Sequence, residues 1–252
     1  MAITDPRIGW YGLGPAINLL ELVDKCDVIF TMLANDRVLT ETVQSIADSF
    51  ISITSKIFVD CSTVHPDTTE SVSRTISGLG AVFLSAPVSG GPAIAATGQL
   101  VFAIGGPGLA AAGIRKIITL NLMEAVGEAQ VFAEHTGLGT AAIGELITES
   151  FGGVAGGYSK RYVASIVDKR NPPHLPLDTR PGFGVSLAIK DAEHALSLAP
   201  DFNVSLLGLE IAHNNMSASR DYAGKCLDSS SIYGTLRVNV WLPFWNGTSR
   251  QG

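Results

Sequence analysis

The sequence predicts an α/β domain with a largely parallel sheet, followed by an all-helical domain. Short apolar runs alternate with helical patterns before Gly139, and long helical patterns replace them afterwards. The length of 252 residues suits one large domain or two smaller ones. We place the α/β domain at residues 1–136, the helical domain at residues 137–235 and an irregular tail at residues 236–252.

Short apolar runs bounded by turn residues predict the strands of the first domain. The run Asp27–Leu33 is apolar almost throughout, which is typical of a buried strand. Because helical patterns separate most of these runs, we expect the strands to pair in parallel. The predicted strands are Arg7–Tyr11, Asp27–Leu33, Lys56–Cys61, Ala81–Ser85, Gln99–Ile104 and Ala129–Ala133.

Apolar residues at helical spacing predict the helices that connect these strands. The first helix is expected at Ile17–Lys25, and the second at Arg37–Phe50 with a buried stripe that Phe50 completes. Pro66 is expected to open the third helix, because proline is favoured in a first turn. Leu79 is expected to complete the buried stripe of that helix.

Helical patterns dominate the second domain. They cover Thr140–Lys169, Phe183–Ala199 and Val204–Lys225, and a Pro-rich loop at Asn171–Pro181 separates the first two. The last stretch, Val238–Gly252, combines aromatic residues with Pro and Gly, so we expect a loose tail. The aromatic side chains expected to be exposed in this tail are Trp241, Phe244 and Trp245.

Composition excludes several classes of function. The chain carries 17 basic and 23 acidic residues without a basic run, which argues against a nucleic-acid partner. The most apolar stretch, Leu100–Ile114, is short and contains Gly and Pro, so no membrane partner is expected. Three cysteines without CxxC spacing and five histidines without ligand spacing argue against a disulfide framework and a metal site.

A glycine motif follows the first predicted strand. Gly12, Leu13 and Gly14 are typical of backbone that approaches a pyrophosphate at the start of a helix. Ile17 stands where the third glycine of that pattern is usual, and a plain tight turn would use the same residues. Both interpretations stay open for the motif taken alone.

Three further motifs also have two interpretations each. The hydroxyls of Asp60–Thr63 could donate to a carboxamide or a phosphate, or could cap the helix that begins near Pro66. The backbone of Ser89–Gly91 suits a carboxylate, although turn chemistry uses the same residue types. Lys190 and Asp191 are either functional or part of a solvated helix face.

Taken together and in this order, the motifs resemble those of the β-hydroxyacid dehydrogenases, the family that includes 3-hydroxyisobutyrate dehydrogenase and the NAD(P)-binding domain of 6-phosphogluconate dehydrogenase. The resemblance covers about residues 7–235. It is carried by GLG at Gly12–Gly14, TML at Thr31–Leu33, DCSTVHP at Asp60–Pro66, APVSGG at Ala86–Gly91, ATGQL at Ala96–Leu100, AIGG at Ala103–Gly106 and GFGVSLAIKDAEHAL at Gly182–Leu196.

The resemblance implies a Rossmann-type domain, a helical domain and reversible hydride transfer between NAD or NADP and a small 3-hydroxy acid. It also implies pairing of helical domains into a homo-oligomer. The implied cofactor contacts are Gly12, Leu13 and Gly14 at the pyrophosphate, Leu33 and Ala34 along the cofactor, Thr63 near the nicotinamide and Lys190 from the second domain. The implied contacts of the substrate carboxylate are Ser89, Gly90 and Gly91.

One departure from the family pattern concerns catalysis. The proton-transfer lysine of the family lies on the first interdomain helix, after a GxGTAAK-like segment. Aligned through Gly137–Ala142, that position holds Ile143, which has no proton to exchange. Glu145 points about 200° away on a helix, and Lys160 lies too far along the chain. The catalytic residue is therefore unknown at this point.

A second departure concerns length. Only 26 residues run from Ile8 to Leu33, whereas one βαβ unit takes about 30 or more. The strand that would carry the ribose-binding residue is therefore expected to be missing, and NAD is not distinguished from NADP. Either the chain is a shortened homologue, or internal segments of the sequence are missing or misread.

The sequence thus predicts an NAD(P)-dependent 3-hydroxy acid dehydrogenase of the cytoplasm or the mitochondria. Its alternative is a catalytically impaired homologue that only binds dinucleotide, because Ile143 stands at the expected lysine position. A chain that does not fold stably is the third hypothesis.

Overall fold

The structure is a computed structural model, and it describes residues 16–104, 108–165, 182–225 and 227–245. The predicted strand Arg7–Tyr11, the motif Gly12–Gly14 and the predicted loop Asn171–Pro181 lie outside the described residues. Contacts divide the chain into two compact units, which we call the α/β unit (Met1–Ser89 and Leu100–Leu109) and the helical unit (Gly90–Gln99 and Ala110–Gly252).

The α/β unit contains a parallel sheet with strand order β1-β2-β3. In its register Ile29 lies opposite Phe58, and Phe58 lies opposite Phe83. A short antiparallel pair joins β4 to β5. The elements are α1 Leu19–Lys25, β1 Val28–Thr31, α2 Asp36–Ala47, β2 Ile57–Asp60, α3 Pro66–Gly78, β3 Val82–Ser85, β4 Val88–Ser89 and β5 Val101–Phe102.

The larger core of this unit lies on one face of the parallel sheet, and a smaller buried cluster contains Val59 of β2. Ile29 and Phe58 pack in the larger core with residues of all three helices, including Val23, Leu39 and Ile76. The predicted helical stripes are confirmed except at their ends, where the predicted residues are exposed because the helices stop earlier. Those exposed residues are Phe50, beyond α2, and Leu79, at the end of α3.

The opposite face of β1 is largely uncovered by the described residues. Val28 is 46% exposed and Phe30 is 69% exposed, although both are large and apolar. The prediction of a buried strand at Asp27–Leu33 is therefore confirmed for the strand but wrong for the burial of Val28 and Phe30. The physical reason is that α1, α2 and α3 all contribute to a single core on the Ile29 face.

The helical unit is built around one long helix. Its elements are α4 Pro92–Ala96, α5 Gly108–Thr136, which begins two residues before the unit, α6 Thr140–Ser165, α7 Val185–Leu198, α8 Leu207–Ala223 and α9 Ile232–Val238. Short 3₁₀ helices occur at Ala199–Phe202 and Ser229–Ser231. Within its core, Leu120, Met123 and Tyr162 are fully buried. None of the described helices is long and apolar enough to cross a membrane.

The predicted strand Ala129–Ala133 is wrong, because these residues belong to α5. A short apolar run does not distinguish a strand from a buried helix. Here Leu120 and Met123 continue one buried face, and Gln130 is buried with its amide donating to Ser159 Oγ at 2.5 Å. The contact division consequently falls near residue 110, whereas the sequence places the boundary after residue 136. The ranges of the two domains stay a prediction.

The end of the chain is packed as far as residue 245, so the prediction of a loose tail is wrong for this part. Phe244 is 3% exposed and stacks on Tyr222 with ring centroids 4.5 Å apart. A Cβ on Gly234 would lie 2.6 Å from the Phe244 ring, which shows how closely α9 and this ring approach. Trp241 alone matches the prediction, being 97% exposed.

The carboxyl group of Glu124 is buried in the helical unit. Glu124 is 6% exposed, and its Oε1 accepts a hydrogen bond from Asn215 Nδ2 at 2.6 Å. Burial raises the pKa of Glu124 to about 7, and the nearby Glu128 adds to this effect, while the Asn215 hydrogen bond opposes it. Ionisation of Glu124 therefore acts against folding.

The different burial of Phe58 and Phe30 predicts unequal effects on stability when each ring is removed. Phe58→Ala removes a ring that is 2% exposed and should lower the free energy of unfolding by about 3–5 kcal/mol. Phe30→Ala removes a ring that is 69% exposed and should lower it by less than about 1 kcal/mol. Urea denaturation followed by circular dichroism measures both values. Equal losses of the free energy of unfolding in the two variants would contradict this difference in burial.

Glu124 predicts a pH dependence of stability. Its folded-state pKa of about 7 lies above the ordinary value of 4.5, so its contribution is most favourable below pH 4.5 and is lost as pH rises to 7. The loss should be roughly 3 kcal/mol at most. Glu124→Gln should remove this dependence, whereas the exposed control Glu128→Gln should keep it, as measured by urea denaturation from pH 5 to pH 8. An unchanged pH profile in Glu124→Gln would refute the assignment.

Candidate active site

A buried aspartate ties together the loops that follow β1 and β2. Asp60 is 1% exposed, and its Oδ1 accepts hydrogen bonds from Thr31 Oγ1 at 2.7 Å and from Ser62 Oγ at 2.6 Å. The same Ser62 oxygen accepts a hydrogen bond from the backbone N–H of Leu33 at 2.9 Å. The network fixes the path of the backbone on which Leu33 and Ala34 lie.

The helices α2 and α3 begin at this same carboxyl edge of the sheet. Asn35 caps α2 by accepting from the N–H of Val38 at 3.0 Å, and His65 caps α3 by accepting from the N–H of Asp67 at 3.3 Å. His65, just after Asp60–Thr63, is therefore the N-cap residue of α3. Two helix N-termini at one sheet edge favour an anionic group there.

The described residues at this edge fit a nicotinamide nucleotide. Ala34 is exposed and Leu33 is half-buried, so together they offer an apolar surface to a planar ring. Thr63 is half-buried in the loop after β2, at the edge where ligands of parallel sheets bind. Gly12, Leu13 and Gly14, the expected pyrophosphate contacts, lie outside the described residues.

Cys61, in the same loop, is a buried structural thiol. It is 7% exposed, and burial raises its pKa, with a smaller contribution from the charge of Asp60. A thiol of raised pKa is a poor nucleophile. Among the described residues, no group of three or more His, Cys, Asp or Glu side chains could hold a metal ion.

In the helical unit, two lysines converge on one buried carboxylate. Lys116 of α5 forms an ion pair with Asp191 Oδ2, and Lys190 Nζ lies 3.3 Å from Asp191 Oδ1. The Asp191 side chain is 3% exposed, and the two lysine side chains are 14% and 16% exposed. The interpretation of Lys190 and Asp191 as a solvated helix face is therefore wrong. We call these three side chains the lysine clamp.

The segment before α7 places an aromatic ring beside the lysine clamp. The Lys116 ammonium lies 5.1 Å from the centroid of the Phe183 ring, a distance that suits a cation–π contact. Asp228 accepts a hydrogen bond from the Phe183 N–H at 3.1 Å and also pairs with Arg161. The backbone N–H of Ser229 donates to the Phe183 carbonyl at 2.7 Å. These bonds fix the position of Phe183.

The predicted carboxylate loop approaches the same segment. A Cβ on Gly91 would lie 3.4 Å from the carbonyl oxygen of Gly182, which adjoins Phe183. Gly90 has a φ of +133°, a conformation that favours glycine. Ser89 lies in β4, paired with Val101. Backbone N–H groups and two ammonium groups are suited to bind a carboxylate.

Lys116 is a candidate functional residue that the sequence patterns did not reveal. The interpretation that places Ile143 at the lysine position treats α6 as the first interdomain helix, and the long helix α5 precedes α6 in the structure. Ile143 is half-buried against the core, while Glu145 and Lys160 are exposed. Helical spacing could have indicated that Lys116 points towards the interior. It lies four residues before the fully buried Leu120, on the same face of the helix.

The chain matches two families of nicotinamide-dependent enzymes. Residues 10–131 match the NAD binding domain of 6-phosphogluconate dehydrogenase. Residues 106–236, which include α5 and the lysine clamp, match the family described as NAD-binding of NADP-dependent 3-hydroxyisobutyrate dehydrogenase.

Curated relatives cover most of the chain. It is 28% identical to the NADH-dependent oxidoreductase ucdB of Aspergillus ustus over 91% of this chain and 84% of that protein. It is also 28% identical to the mitochondrial 3-hydroxyisobutyrate dehydrogenase of Mus musculus over 86% of this chain and 72% of that protein.

Solved structures of related proteins share the fold. The 3-hydroxyisobutyrate dehydrogenase of Mycobacterium tuberculosis, solved with L-serine, has a TM-score of 0.66 at 23% identity and covers 88% of this chain and 83% of its own. The 3-hydroxyisobutyrate dehydrogenase ygbJ of Salmonella typhimurium has a TM-score of 0.71 at 16% identity and covers 86% of this chain and 81% of its own. The two-part architecture expected from the sequence is thereby confirmed.

The lysine clamp predicts a large stability loss on removal of its carboxylate. Asp191→Asn leaves two mostly buried ammonium groups without their counter-charge, which should lower the free energy of unfolding by roughly 3 kcal/mol. The control Glu193→Gln lies two residues further, with a side chain that is 59% exposed, and should change it by less than about 0.5 kcal/mol. Denaturant midpoints of the two variants measure the difference. Similar stability of both would contradict the clamp.

Proposed function

Because this chain belongs to the β-hydroxyacid dehydrogenase family, whose cofactor is NAD or NADP, we propose that it transfers a hydride between that cofactor and a small 3-hydroxy acid. The coarser description, an NAD(P)-dependent oxidoreductase by family, rests on the comparisons above. The substrate class and the residue roles are parts of the proposal.

The lysine clamp is the observation that carries the proposal. Lys116 and Lys190 supply two ammonium groups against one carboxylate, and Phe183 and Gly91 adjoin the segment beside them. Such a charge balance attracts an organic acid to the helical unit. It also provides a side chain that can exchange a proton, which Ile143 cannot.

We assign proton transfer to Lys116. During oxidation of the acid, Lys116 first releases a proton from its ammonium group to solvent and then accepts the proton of the substrate hydroxyl, while the carbinol C–H bond breaks. A bound nicotinamide supplies the hydride acceptor. The products are the 3-oxo acid and a protonated Lys116, which returns its proton in the reverse direction.

The remaining clamp residues have binding and positioning roles in this proposal. Asp191 holds the Lys116 side chain in place, and the backbone of Ser89–Gly91 orients the substrate carboxylate. Lys190 is assigned to the cofactor, as the family resemblance implies.

The nucleotide is assigned to the α/β unit. Its proposed contacts are Gly12, Leu13, Gly14, Leu33, Ala34 and Thr63. The fit of the exposed Ala34, the half-buried Leu33 and the two helix N-termini supports this assignment. A homo-oligomer through the helical unit and a location in the cytoplasm or mitochondria stay predictions.

Replacing Lys116 tests the function most simply. With purified chain, NAD⁺ or NADP⁺ and a panel of 3-hydroxy acids, Lys116→Met should lower kcat about 10²–10⁴-fold, because the proton acceptor is lost. Nucleotide affinity, measured by calorimetry, should change less than about twofold, since Lys116 has no assigned cofactor contact.

Two control variants make this test specific. Lys160→Met removes an exposed lysine of α6 and should leave kcat unchanged. Ile143→Lys should not raise kcat, whether it is made in the wild type or in Lys116→Met. Wild-type turnover by Lys116→Met, or a tenfold gain from Ile143→Lys, would overturn the assignment of Lys116. Nucleotide binding by the wild type without turnover of any acid would favour the dinucleotide-binding homologue instead.

A further inference from the structure

The helical unit contains a cleft that the lysine clamp does not line. It has a volume of about 920 Å³ and lies between α5, α8 and the end of α9. Its walls are mainly apolar and include Ala129, Phe132, Ile211 and Val240. A volume of this order suits a small organic molecule.

The cleft has a buried carboxylate with an open hydrogen-bonding position. Glu124 lines it and is 6% exposed. Its Oε1 is bonded to Asn215, but its Oε2 has no hydrogen-bond partner among the described residues. A buried carboxylate oxygen without a partner costs free energy, so a ligand that supplies a donor or a positive charge is favoured there.

The charges around Glu124 favour a positively charged ligand. The titratable groups that line the cleft are Glu124, Glu128 and His135, all from α5, and the lining residues of α8 and α9 are uncharged. From α6, the buried Tyr162 donates its hydroxyl to the Met123 carbonyl at 2.5 Å, and burial keeps its pKa well above the ordinary value. Two carboxylates without a lysine or arginine in the lining repel acids and attract cations.

We propose that this cleft binds a primary ammonium ion on a hydrocarbon body. The ammonium group pairs with Oε2 of Glu124, and the hydrocarbon packs against the apolar walls that include Phe132 and Ile211. Burial is the main cause of the raised pKa of Glu124, and a cation paired with its Oε2 would oppose that rise. The proposal does not depend on the dehydrogenase function, because it involves none of the clamp residues.

The test uses a charged probe and a neutral one of similar shape. Isothermal titration calorimetry at pH 8 compares hexylammonium chloride with 1-hexanol on the full chain. The wild type should bind hexylammonium at least tenfold more tightly than hexanol. At pH 5.5 Glu124 is mostly protonated, so affinity for hexylammonium should fall about tenfold or more, while hexanol should be unaffected.

Matched variants identify the group responsible. Glu124→Gln keeps an acceptor for Asn215 and should lose both the tenfold preference and its pH dependence. Glu128→Gln removes a charge from the same cleft at an exposed position and should change affinity less than threefold. Ala125→Trp, at an exposed position of the lining, should block both probes and gives a second variant that does not alter Glu124.

Three outcomes would overturn the proposal. The first is equal affinity for the two probes in the wild type. The second is an unchanged preference in a folded Glu124→Gln variant. The third is a concentration-dependent dimer, seen by analytical ultracentrifugation, that Ala125→Trp dissociates and that binds no amine, since the cleft would then belong to a second copy of the chain.

Discussion

The pairing of two lysine ammonium groups with the buried carboxylate of Asp191 is the interaction on which the proposed chemistry of this protein depends. A lone lysine that is this little exposed would lose its charge or stay outside the core. One carboxylate keeps both ammonium groups inside the helical unit, next to the ring of Phe183. The long helix α5 makes this arrangement possible, because it carries Lys116 into contact with α7.

The α/β unit meets a different constraint, the need to hold loops at the ends of parallel strands. Asp60 achieves this with hydrogen bonds from Thr31 and Ser62, and Ser62 in turn binds the backbone of Leu33. In the same unit, the β1 side chains Val28 and Phe30 are 46% and 69% exposed, whereas Val59 on the neighbouring strand is buried.

Sequence patterns predicted the order of strands and helices in the α/β unit, since apolar spacing is a local property. They failed at Ala129–Ala133, where five residues fit a strand and a buried helix equally well. Because these residues were predicted as a strand, the interpretation of the sequence began the helical domain with α6 and did not consider Lys116 on α5. Motifs located Lys190 and Asp191, but the contact with Lys116 lies about 75 residues away in the sequence and only packing reveals it.

A crystal structure of the chain with a nicotinamide nucleotide and a 3-hydroxy acid bound tests the proposed roles of the lysine clamp most directly. We expect the hydroxyl of the acid within hydrogen-bond distance of Lys116 Nζ and its carboxylate at the backbone of Gly90 and Gly91. An acid bound away from both lysines, with Lys116 still paired to Asp191 alone, would contradict these roles.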